Sequence, residues 1–296
     1  MNYRHAFHAG NFADVLKHAV LVRILVHLRH KPAAFRVIDT HAGAGRYDLA
    51  GLEAARSGEW REGIGRLWGT PLAEPARELL APYLDAIAAL NPAGPAGALS
   101  VYPGSPALVR AFLRPQDRLV ACELEPNAAA ALGRYLHGDR RSKAVTIDGW
   151  TALNAYVPPP ERRGLVLIDP PFEDAGDFPR LAHALAAAYR KWASGSYLVW
   201  YPIKERKASD AMALQLRRSS IAKILRLELD VATPAKRPGP TGDAAAPGAL
   251  AACGLIVVNP PWTLAAELQI LLPALASVLS GGTGGAHRVD WLTSEK

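Results

Sequence analysis

The chain of 296 residues is half hydrophobic and carries a formal net charge of +7, from 34 Lys and Arg against 27 Asp and Glu. No apolar stretch reaches the roughly 18 residues of a membrane span, and the polar start is no signal peptide, so we expect a cytoplasmic protein without a membrane partner. Cys122 and Cys253 each lie in an apolar run, which predicts buried thiols rather than a disulfide or a zinc site. The basic excess favours polyanionic partners but identifies none.

The first third of the chain predicts a helix, a strand and a helical insertion. Apolar residues at helical spacing predict an amphipathic helix over 14–29, capped by Asp14, and residues 35–38 form a short strand. Residues 47–97 are rich in Ala, Leu, Glu and Arg and end in a Pro- and Gly-rich linker. We therefore expect one domain formed by 1–46 and 98–296, interrupted by a small helical insertion at 47–97.

Strands and helices alternate after the insertion. The pattern predicts strands at 118–122, 144–147, 164–168, 196–200, 223–231 and 254–258, and helices at 127–136, 179–192 and 209–217. Such alternation is typical of an α/β protein with a doubly wound, mostly parallel sheet. The Pro-, Gly- and Ala-rich residues 233–247 predict a mobile loop before the last strand.

Carboxylates follow four successive predicted strands, at Asp39, Glu123, Asp148 and Asp169. The turn Gly43-Ala44-Gly45 lets the backbone approach a cofactor, although such a turn fits many nucleotide-binding folds. An acid after the second strand suits ribose hydroxyls, and one after the third can accept from an adenine amine. Each acid alone can be explained as a helix cap, but the four together favour a ligand site.

The sharpest motif is Asp169-Pro170-Pro171-Phe172, directly after a buried strand. It offers acceptors and a stacking face to a flat ring with an exocyclic amine, and the competing explanation is a strand stop with a surface turn. Asn259-Pro260-Pro261-Trp262 fits the same pattern. Chain order favours Asp169, because it closes the fourth of the strands that end in carboxylates, in the half of the chain with the Gly-rich turn, whereas Asn259 ends the last predicted strand. We therefore predict a structural role for the second corner.

The ordered set resembles S-adenosylmethionine-dependent methyltransferases that act on amino groups. The chain is further similar to the RlmJ family, bacterial enzymes that methylate N6 of one adenine in 23S ribosomal RNA. The resemblance covers nearly the whole chain, and its N-terminal block is specific. The segments that carry it are 3–5, 7–11, 13–18, 39–47, 102–106 and 256–262.

The resemblance implies a Rossmann-like class I methyltransferase fold, S-adenosyl-L-methionine as cofactor and 23S ribosomal RNA as partner, with adenine 2030 as the expected target. It implies no obligate protein partner and no metal. Asp169 is the implied catalytic acid, and Tyr3, His5 and Phe172 are placed at the target adenine. The implied cofactor-binding residues are Lys17, His18, His41, Ser105, Glu123, Asp148, Gly149 and Asp169.

Other functions remain open at this point. Without the resemblance, a place on the polar face of their helix is the favoured explanation for Lys17 and His18. A DNA adenine-N6 or protein-amide methyltransferase would need the same cofactor pocket, and only the N-terminal block argues against it. A nucleotide-dependent oxidoreductase is disfavoured because the Gly-rich turn lacks the full spacing and the Asp169 corner would have no role. A non-catalytic RNA-binding protein is the least favoured alternative, and cofactor binding by the purified protein would test it.

Overall fold

A large and a small β-sheet, flanked by helices, form the protein. The computed structural model describes residues 5–92, 99–174, 176–232 and 250–294. The strands are β1 (Arg36–Asp39), β2 (Arg46–Asp48), β3 (Val101–Pro103), β4 (Arg118–Glu123), β5 (Ser142–Thr146), β6 (Gly164–Ile168), β7 (Ser196–Pro202), β8 (Ile224–Asp230), β9 (Ala252–Val258) and β10 (Ala286–Thr293). The helices are α1 (Phe12–Arg29), α2 (Leu52–Ser57), α3 (Arg66–Gly69), α4 (Ala76–Ala88), α5 (Ser105–Phe112), α6 (Pro126–Leu136), α7 (Gly149–Tyr156), α8 (Asp177–Lys191), α9 (Arg206–Arg217) and α10 (Leu264–Leu279). A 3-10 turn at His5–Phe7 precedes α1, and a π-helical turn at Arg61–Gly65 precedes α3.

The large sheet has the strand order β10-β8-β9-β7-β6-β1-β4-β5. Strands β5, β4, β1, β6 and β7 run parallel to one another, whereas β9 is antiparallel to β7 and to β8, and β10 is antiparallel to β8. Strands β2 and β3 pair as a small antiparallel sheet. The predicted doubly wound α/β fold is thus confirmed, and the direction of β9 proves important for the site.

The central strands are buried on both faces, as helices on both sides of a parallel sheet require. Leu165 and Leu167 of β6 pack into a core cluster that includes residues of α1 and α10. Val166 and Ile168 of the same strand pack into a second cluster with residues of α8 and α9. Among the described residues, no helix is long and apolar enough to span a membrane.

The predicted insertion is helical where the structure describes it. Helices α2 to α4 lie between β2 and β3, and α4 packs against α1 and α10. Leu80 and Tyr83 of α4 belong to the same core cluster as the buried residues of α1. The insertion therefore reaches the helix that carries Lys17 and His18, while its delimitation as a separate unit at 47–97 stays a prediction.

The prediction of Asp14 as the cap of the first helix is wrong. Helix α1 begins at Phe12, and the Asn11 side chain accepts hydrogen bonds from the backbone N–H groups of Ala13 and Asp14. Asn caps a helix as well as Asp does, so the sequence alone did not separate the two. Asp14 is instead a buried carboxylate in the first turn.

Several elements were not predicted, namely the small hairpin of β2 and β3, helices α5, α7 and α10, and strand β10. Strand β10 follows the strand that we expected to be last, and none of its residues is buried at this sheet edge, so they show no apolar alternation. Helix α10 contains Pro273, which usually ends a helical pattern. The predicted loop at 233–247 and most of the predicted linker lie outside the described residues.

Candidate active site

Three neighbouring parallel strands end at one edge of the sheet, and each is followed by chemistry-bearing residues. Strand β1 pairs with β4 on one side and with β6 on the other. The chain order reverses between β1 and β6, and ligands of such sheets bind at this switch point, beyond the carboxyl ends of the strands. The topology therefore brings together Asp39 at the end of β1, Glu123 at the end of β4 and Asp169 after β6.

A cavity with a volume of about 310 Å³ opens at this edge. Its volume lies at the lower end of the range for small-molecule pockets, roughly 300–1,000 Å³. The sequence-predicted residues that line it are His5, Lys17, His18, His41, Ser105, Glu123 and Asp169. These residues come from the turn before α1, from α1, from the start of α5 and from the carboxyl ends of β1, β4 and β6, so they are distant in sequence but adjacent in the fold.

The Gly-rich turn forms one side of this cavity, the larger of two cavities that Asp169 lines. Gly43 has a φ of +63°, and a Cβ built on it would lie 2.1 Å from the Tyr47 hydroxyl, so only glycine fits there. The Gly43 N–H donates to Oε2 of Glu123 at 2.7 Å, and the N–H groups of Leu124 and Glu125 donate to Oε1. A carboxylate has about four acceptor sites, so Glu123 is held rigidly and still has one for a ligand hydroxyl.

Lys17 lies between two carboxylates. Its Nζ is 2.8 Å from Oδ1 of Asp14 and also donates to Oδ2 of Asp169. Burial would lower the pKa of Lys17, but the charges of Asp14 and Asp169 outweigh burial and raise it well above its ordinary value. Lys17 is therefore a cation that fixes the position of the Asp169 carboxylate, and one of its three N–H groups is left for the predicted methionine carboxylate.

Asp14 is a site residue that sequence reasoning missed. Its Oδ2 accepts from the Gly10 N–H at 2.9 Å and lies 3.0 Å from Nε2 of His5. Burial would raise the pKa of Asp14, but His5 and Lys17 outweigh burial and hold the pKa well below its ordinary value. Because Asp14 precedes Lys17 by one helical turn, the spacing on one face was the available signal.

Asp39 is a second missed residue, although its place at a strand end had been noted. It is fully buried, and its Oδ2 accepts a hydrogen bond from Oγ of Ser105 at 2.6 Å. Burial raises the pKa of Asp39 to about 7, against the opposing effect of the Ser105 hydrogen bond. Ser105, predicted to bind the cofactor, is thus also the partner of a buried acid.

His41 is held in one orientation by Thr40. The Thr40 hydroxyl donates to the Leu167 carbonyl, so it accepts from Nδ1 of His41 at 2.8 Å. Burial lowers the pKa of His41 to about 4, which keeps the ring neutral with its proton on Nδ1. A Cβ on Gly149 would lie 2.5 Å from Nε2 of this ring, which explains a glycine there.

Asp148 does not line the larger cavity within the described part of the chain. Its Oδ1 accepts from the backbone N–H and the hydroxyl of Thr151, so it caps α7. Gly149 is likewise set back, beneath His41. The direct cofactor contacts predicted for Asp148 and Gly149 therefore stay predictions, and helix capping and packing are the roles that the geometry shows.

A smaller cavity of about 220 Å³ lies on the other side of Asp169. It shares His5, Lys17, Asp169 and Pro171 with the larger cavity. Phe172 also lines it, with its ring centroid 4.8 Å from that of Phe178 and 5.8 Å from that of Trp200. Asp169 thus stands where two cavities meet, as an acid between two bound molecules would.

Comparison with known proteins identifies the family. The RsmJ family, described as Ribosomal RNA large subunit methyltransferase D, RlmJ, has a sequence model that matches residues 32–293. The chain belongs to this family. It is 41% identical over 295 residues to Ribosomal RNA large subunit methyltransferase J of Escherichia coli strain K12, and 39% identical over 296 residues to the Haemophilus influenzae protein of the same name. Both alignments cover the whole of each chain.

A solved structure supports the fold of this RlmJ-family chain. The crystal structure of a protein from Legionella pneumophila strain Philadelphia 1 is 33% identical, with a TM-score of 0.82, and the match covers 96% of this chain and 98% of that one. The Rossmann-like class I methyltransferase fold follows from this agreement and from the sheet order. The family places the chain among ribosomal RNA methyltransferases.

The second Pro-Pro corner of this family member lies at the opposite sheet edge. Strand β9 is antiparallel to β7, and its last residue Val258 pairs with Tyr197 near the start of β7. The Asn259 amide donates to the carbonyls of Ala193 and Gly195 at 2.8 and 2.7 Å. Asn259 lines neither of the two cavities in the described part of the chain, and its contacts are those of a structural brace.

The predicted residues thus divide into three groups. Seven line the larger cavity, Phe172 lines the smaller one, and Asp148 and Gly149 line neither cavity. Tyr3 lies outside the described residues. Within the described ranges, no three His, Cys, Asp or Glu side chains are grouped to hold a metal ion.

Proposed function

We propose that the protein transfers a methyl group from S-adenosyl-L-methionine to N6 of one adenine in 23S ribosomal RNA, with adenine 2030 as the expected target. The observation that carries this proposal is the position of Asp169 at the junction of two cavities. One cavity has the polar residues of a nucleoside site, and the other has an aromatic side chain next to the same carboxylate. Membership in the RlmJ family supports ribosomal RNA as the substrate and the cytoplasm as its place of action.

The larger cavity fits S-adenosylmethionine by the chemistry of its residues. The free acceptor site of Glu123 suits the ribose hydroxyls, and the glycine turn provides room beside it. The Nε2 atom of His18 is buried and has no hydrogen-bond partner among the described residues, so it awaits a ligand atom. Lys17 and His18 together suit the methionine carboxylate. When bound, the cofactor supplies an electrophilic methyl group on a positively charged sulfur.

The smaller cavity suits a flipped adenine. A base inside folded RNA must leave its stack before its N6 can react, and an aromatic side chain stabilises the unstacked ring. Phe172 supplies that face and is itself fixed by Phe178 and Trp200. Lys204, an exposed residue that lines this cavity, can pair with the RNA backbone.

Asp169 and Pro170 act on the adenine amine, which is a poor nucleophile because its lone pair is delocalised. Lys17 occupies Oδ2 of Asp169, so Oδ1 and the Pro170 carbonyl are the acceptors for the two amine hydrogens. These hydrogen bonds favour a pyramidal nitrogen with its lone pair directed at the larger cavity. Asp169 then takes the proton that nitrogen loses once it has become cationic.

The direct test is tritium transfer from labelled S-adenosylmethionine to 23S RNA from cells that lack this protein, followed by mapping of the modified nucleotide. We expect labelling of one adenine at N6 by the wild-type protein and none above background by Asp169→Ala. Duplex DNA and ribosomal protein serve as alternative acceptors in parallel reactions. Labelling of DNA or protein instead of RNA would contradict the proposal.

A further inference from the structure

A chain of three buried polar side chains runs from the helical insertion to the larger cavity. Oη of Tyr83, on α4, lies 2.9 Å from Oη of Tyr102, on β3. Oη of Tyr102 lies 2.8 Å from Nδ1 of His18, on α1. All three side chains are at most 1% exposed. His18 lines the larger cavity, and its other ring nitrogen, Nε2, is buried and has no hydrogen-bond partner among the described residues.

The chain can be ordered in two ways, and they place the His18 proton on different nitrogens. In one order Tyr83 donates to Tyr102, Tyr102 donates to Nδ1, and the proton of His18 is on Nε2. In the reverse order Nδ1 donates to Tyr102, Tyr102 donates to Tyr83, and the Tyr83 hydroxyl hydrogen has no acceptor among the described residues. A buried donor without an acceptor costs about 1–3 kcal/mol, so the first order is preferred.

The charges near His18 favour the same order. Nε2 of His18 is 4.0 Å from Oδ1 of Asp14, which is beyond hydrogen-bond distance but close enough for the negative charge to favour a hydrogen on Nε2 over a lone pair. Burial lowers the pKa of His18 to about 3, which keeps the ring neutral. Burial also raises the pKa values of Tyr83 and Tyr102, so both hydroxyls keep their hydrogens. Because the neutral ring carries one N–H hydrogen, its tautomer decides which ring nitrogen of His18 can donate a hydrogen bond.

We propose that Tyr83 and Tyr102 are positioning residues that keep His18 protonated on Nε2, so that this nitrogen donates a hydrogen bond to the methionine carboxylate of the cofactor. The identity of that acceptor rests on the proposed function, because Glu123 occupies the ribose end of the cavity and the carboxylate is the acceptor-rich end of S-adenosylmethionine. The helical insertion thus takes part in cofactor binding through Tyr83, without touching the cofactor.

The first readout is independent of activity. Long-range ¹H–¹⁵N spectra of the histidine-labelled full-length protein distinguish a protonated ring nitrogen from an unprotonated one, and His18→Gln assigns the resonances. We expect His18 protonated on Nε2 in the wild-type protein and a mixture of tautomers in Tyr102→Phe. A wild-type His18 protonated on Nδ1 would overturn the inference.

The second readout is the Kd for S-adenosylmethionine, measured by calorimetry. Loss of one supporting hydrogen bond predicts a rise of about 3- to 10-fold in Tyr83→Phe and about 10-fold in Tyr102→Phe. Tyr197→Phe is the matched control, because Tyr197 is equally buried and its hydroxyl donates to backbone carbonyls away from both cavities. The control should lose stability but keep its Kd within about 2-fold.

The two proposals fail in different ways. If the wild-type protein binds no S-adenosylmethionine, the proposed function fails, whatever the tautomer of His18. If the cofactor binds and both Tyr→Phe variants keep the wild-type Kd, the positioning role of Tyr83 and Tyr102 fails while the proposed function stands. Tyr83→Phe keeps the test decisive should Tyr102→Phe not fold.

Discussion

The two Pro-Pro corners of this chain share a sequence pattern and differ in almost everything else. Asp169-Pro170-Pro171-Phe172 follows a strand parallel to its neighbours, and its carboxylate lies between two cavities. Asn259-Pro260-Pro261-Trp262 follows an antiparallel strand and lies at the opposite edge of the sheet. The direction of the preceding strand, rather than the motif, decides which corner can meet a ligand.

The corners also differ in how their polar groups are satisfied. Both hydrogens of the Asn259 amide are used in bonds to backbone carbonyls. Near Asp169, by contrast, the charged side chains of Asp14 and Lys17 are buried, and Nε2 of His18 has no hydrogen-bond partner among the described residues. A ligand in the cavity that His18 lines can satisfy this nitrogen, and without a ligand the unsatisfied group costs stability that the rest of the fold must supply.

The largest predicted effect is the loss of methyl transfer when the acid at the first corner is neutralised. Asp169→Asn keeps the shape of the side chain but cannot accept a proton, so we expect kcat to fall by about 10²–10⁴-fold, the usual range for a positioned general base. The rate constant of methyl transfer to 23S RNA, compared between the wild-type protein and Asp169→Asn under single-turnover conditions, measures the loss.

The double variant Asp169→Asn with Asn259→Asp tests whether position or motif matters. It moves the carboxylate from one corner to the other, and we expect it to be as inactive as the single variant. Recovery of activity in the double variant would show that the second corner can serve as an active site and that strand direction does not decide which corner meets a ligand.

The second prediction concerns the effect of the buried carboxyl group of Asp39 on the free energy of unfolding. The pKa of Asp39 is raised from 3.8 to about 7 in the folded protein, so the folded state binds a proton that the unfolded state has lost between these pH values. Stability should therefore decrease as pH rises from about 4 to 7, by about 4 kcal/mol at most.

Asp39→Asn should remove this decrease, because the amide resembles the protonated acid. Urea unfolding of both proteins at pH 5 and pH 8 measures the effect, with Ser105→Ala as a control that keeps the acid but removes its hydrogen bond. Equal pH dependence in the wild-type protein and Asp39→Asn would refute a raised pKa for this group.

The third prediction concerns the structural corner. Asn259→Ala removes two hydrogen bonds and places alanine at a φ of +48°, so we expect a loss of about 2–3 kcal/mol in the free energy of unfolding. Asn259→Gly should recover about 1 kcal/mol of that loss, since glycine tolerates the positive φ. Activity per folded molecule should stay within 2-fold of wild type in both variants, roughly the scatter of such comparisons. A specific loss of activity at full folding would give the second corner a functional role.

The smallest effect is predicted for Trp262, the ring that corresponds to Phe172. Trp262 is 86% exposed, whereas Phe172 is 8% exposed and packs between Phe178 and Trp200. Trp262→Ala should therefore change stability by less than about 0.5 kcal/mol and leave methyl transfer unchanged. Weaker binding of RNA by this variant would mean that substrate also contacts the opposite edge.

The sequence predicts the alternating part of the fold well, because each central strand is a short apolar run with clear ends, as at 164–168. It also predicts the residues at the strand ends, since parallel strands gather them at one edge. It does not predict strand β10, in which no residue is buried and no apolar pattern repeats, nor the direction of β9, which depends on pairing across the sheet.

The residues that hold the site residues in place also cannot be predicted from the sequence. Asp14 and Tyr83 are ordinary residues of helical patterns, and their importance comes from contacts with Lys17 and Tyr102 that form only in the folded chain. The helix-capping role of Asp148 was only the alternative explanation for an acid at a strand end, and its predicted ligand contact stays a prediction.

The most direct test of the central claim is a crystal structure of the wild-type protein with adenosine and S-adenosylhomocysteine. We expect S-adenosylhomocysteine in the larger cavity and the adenine ring of adenosine against Phe172 in the smaller one. The adenine amine should lie within about 3 Å of the Asp169 carboxylate and of the Pro170 carbonyl. Adenine bound next to Asn259, or bound beside the cofactor with its amine directed away from Asp169, would show that Asp169 is not the acid that acts on the adenine amine.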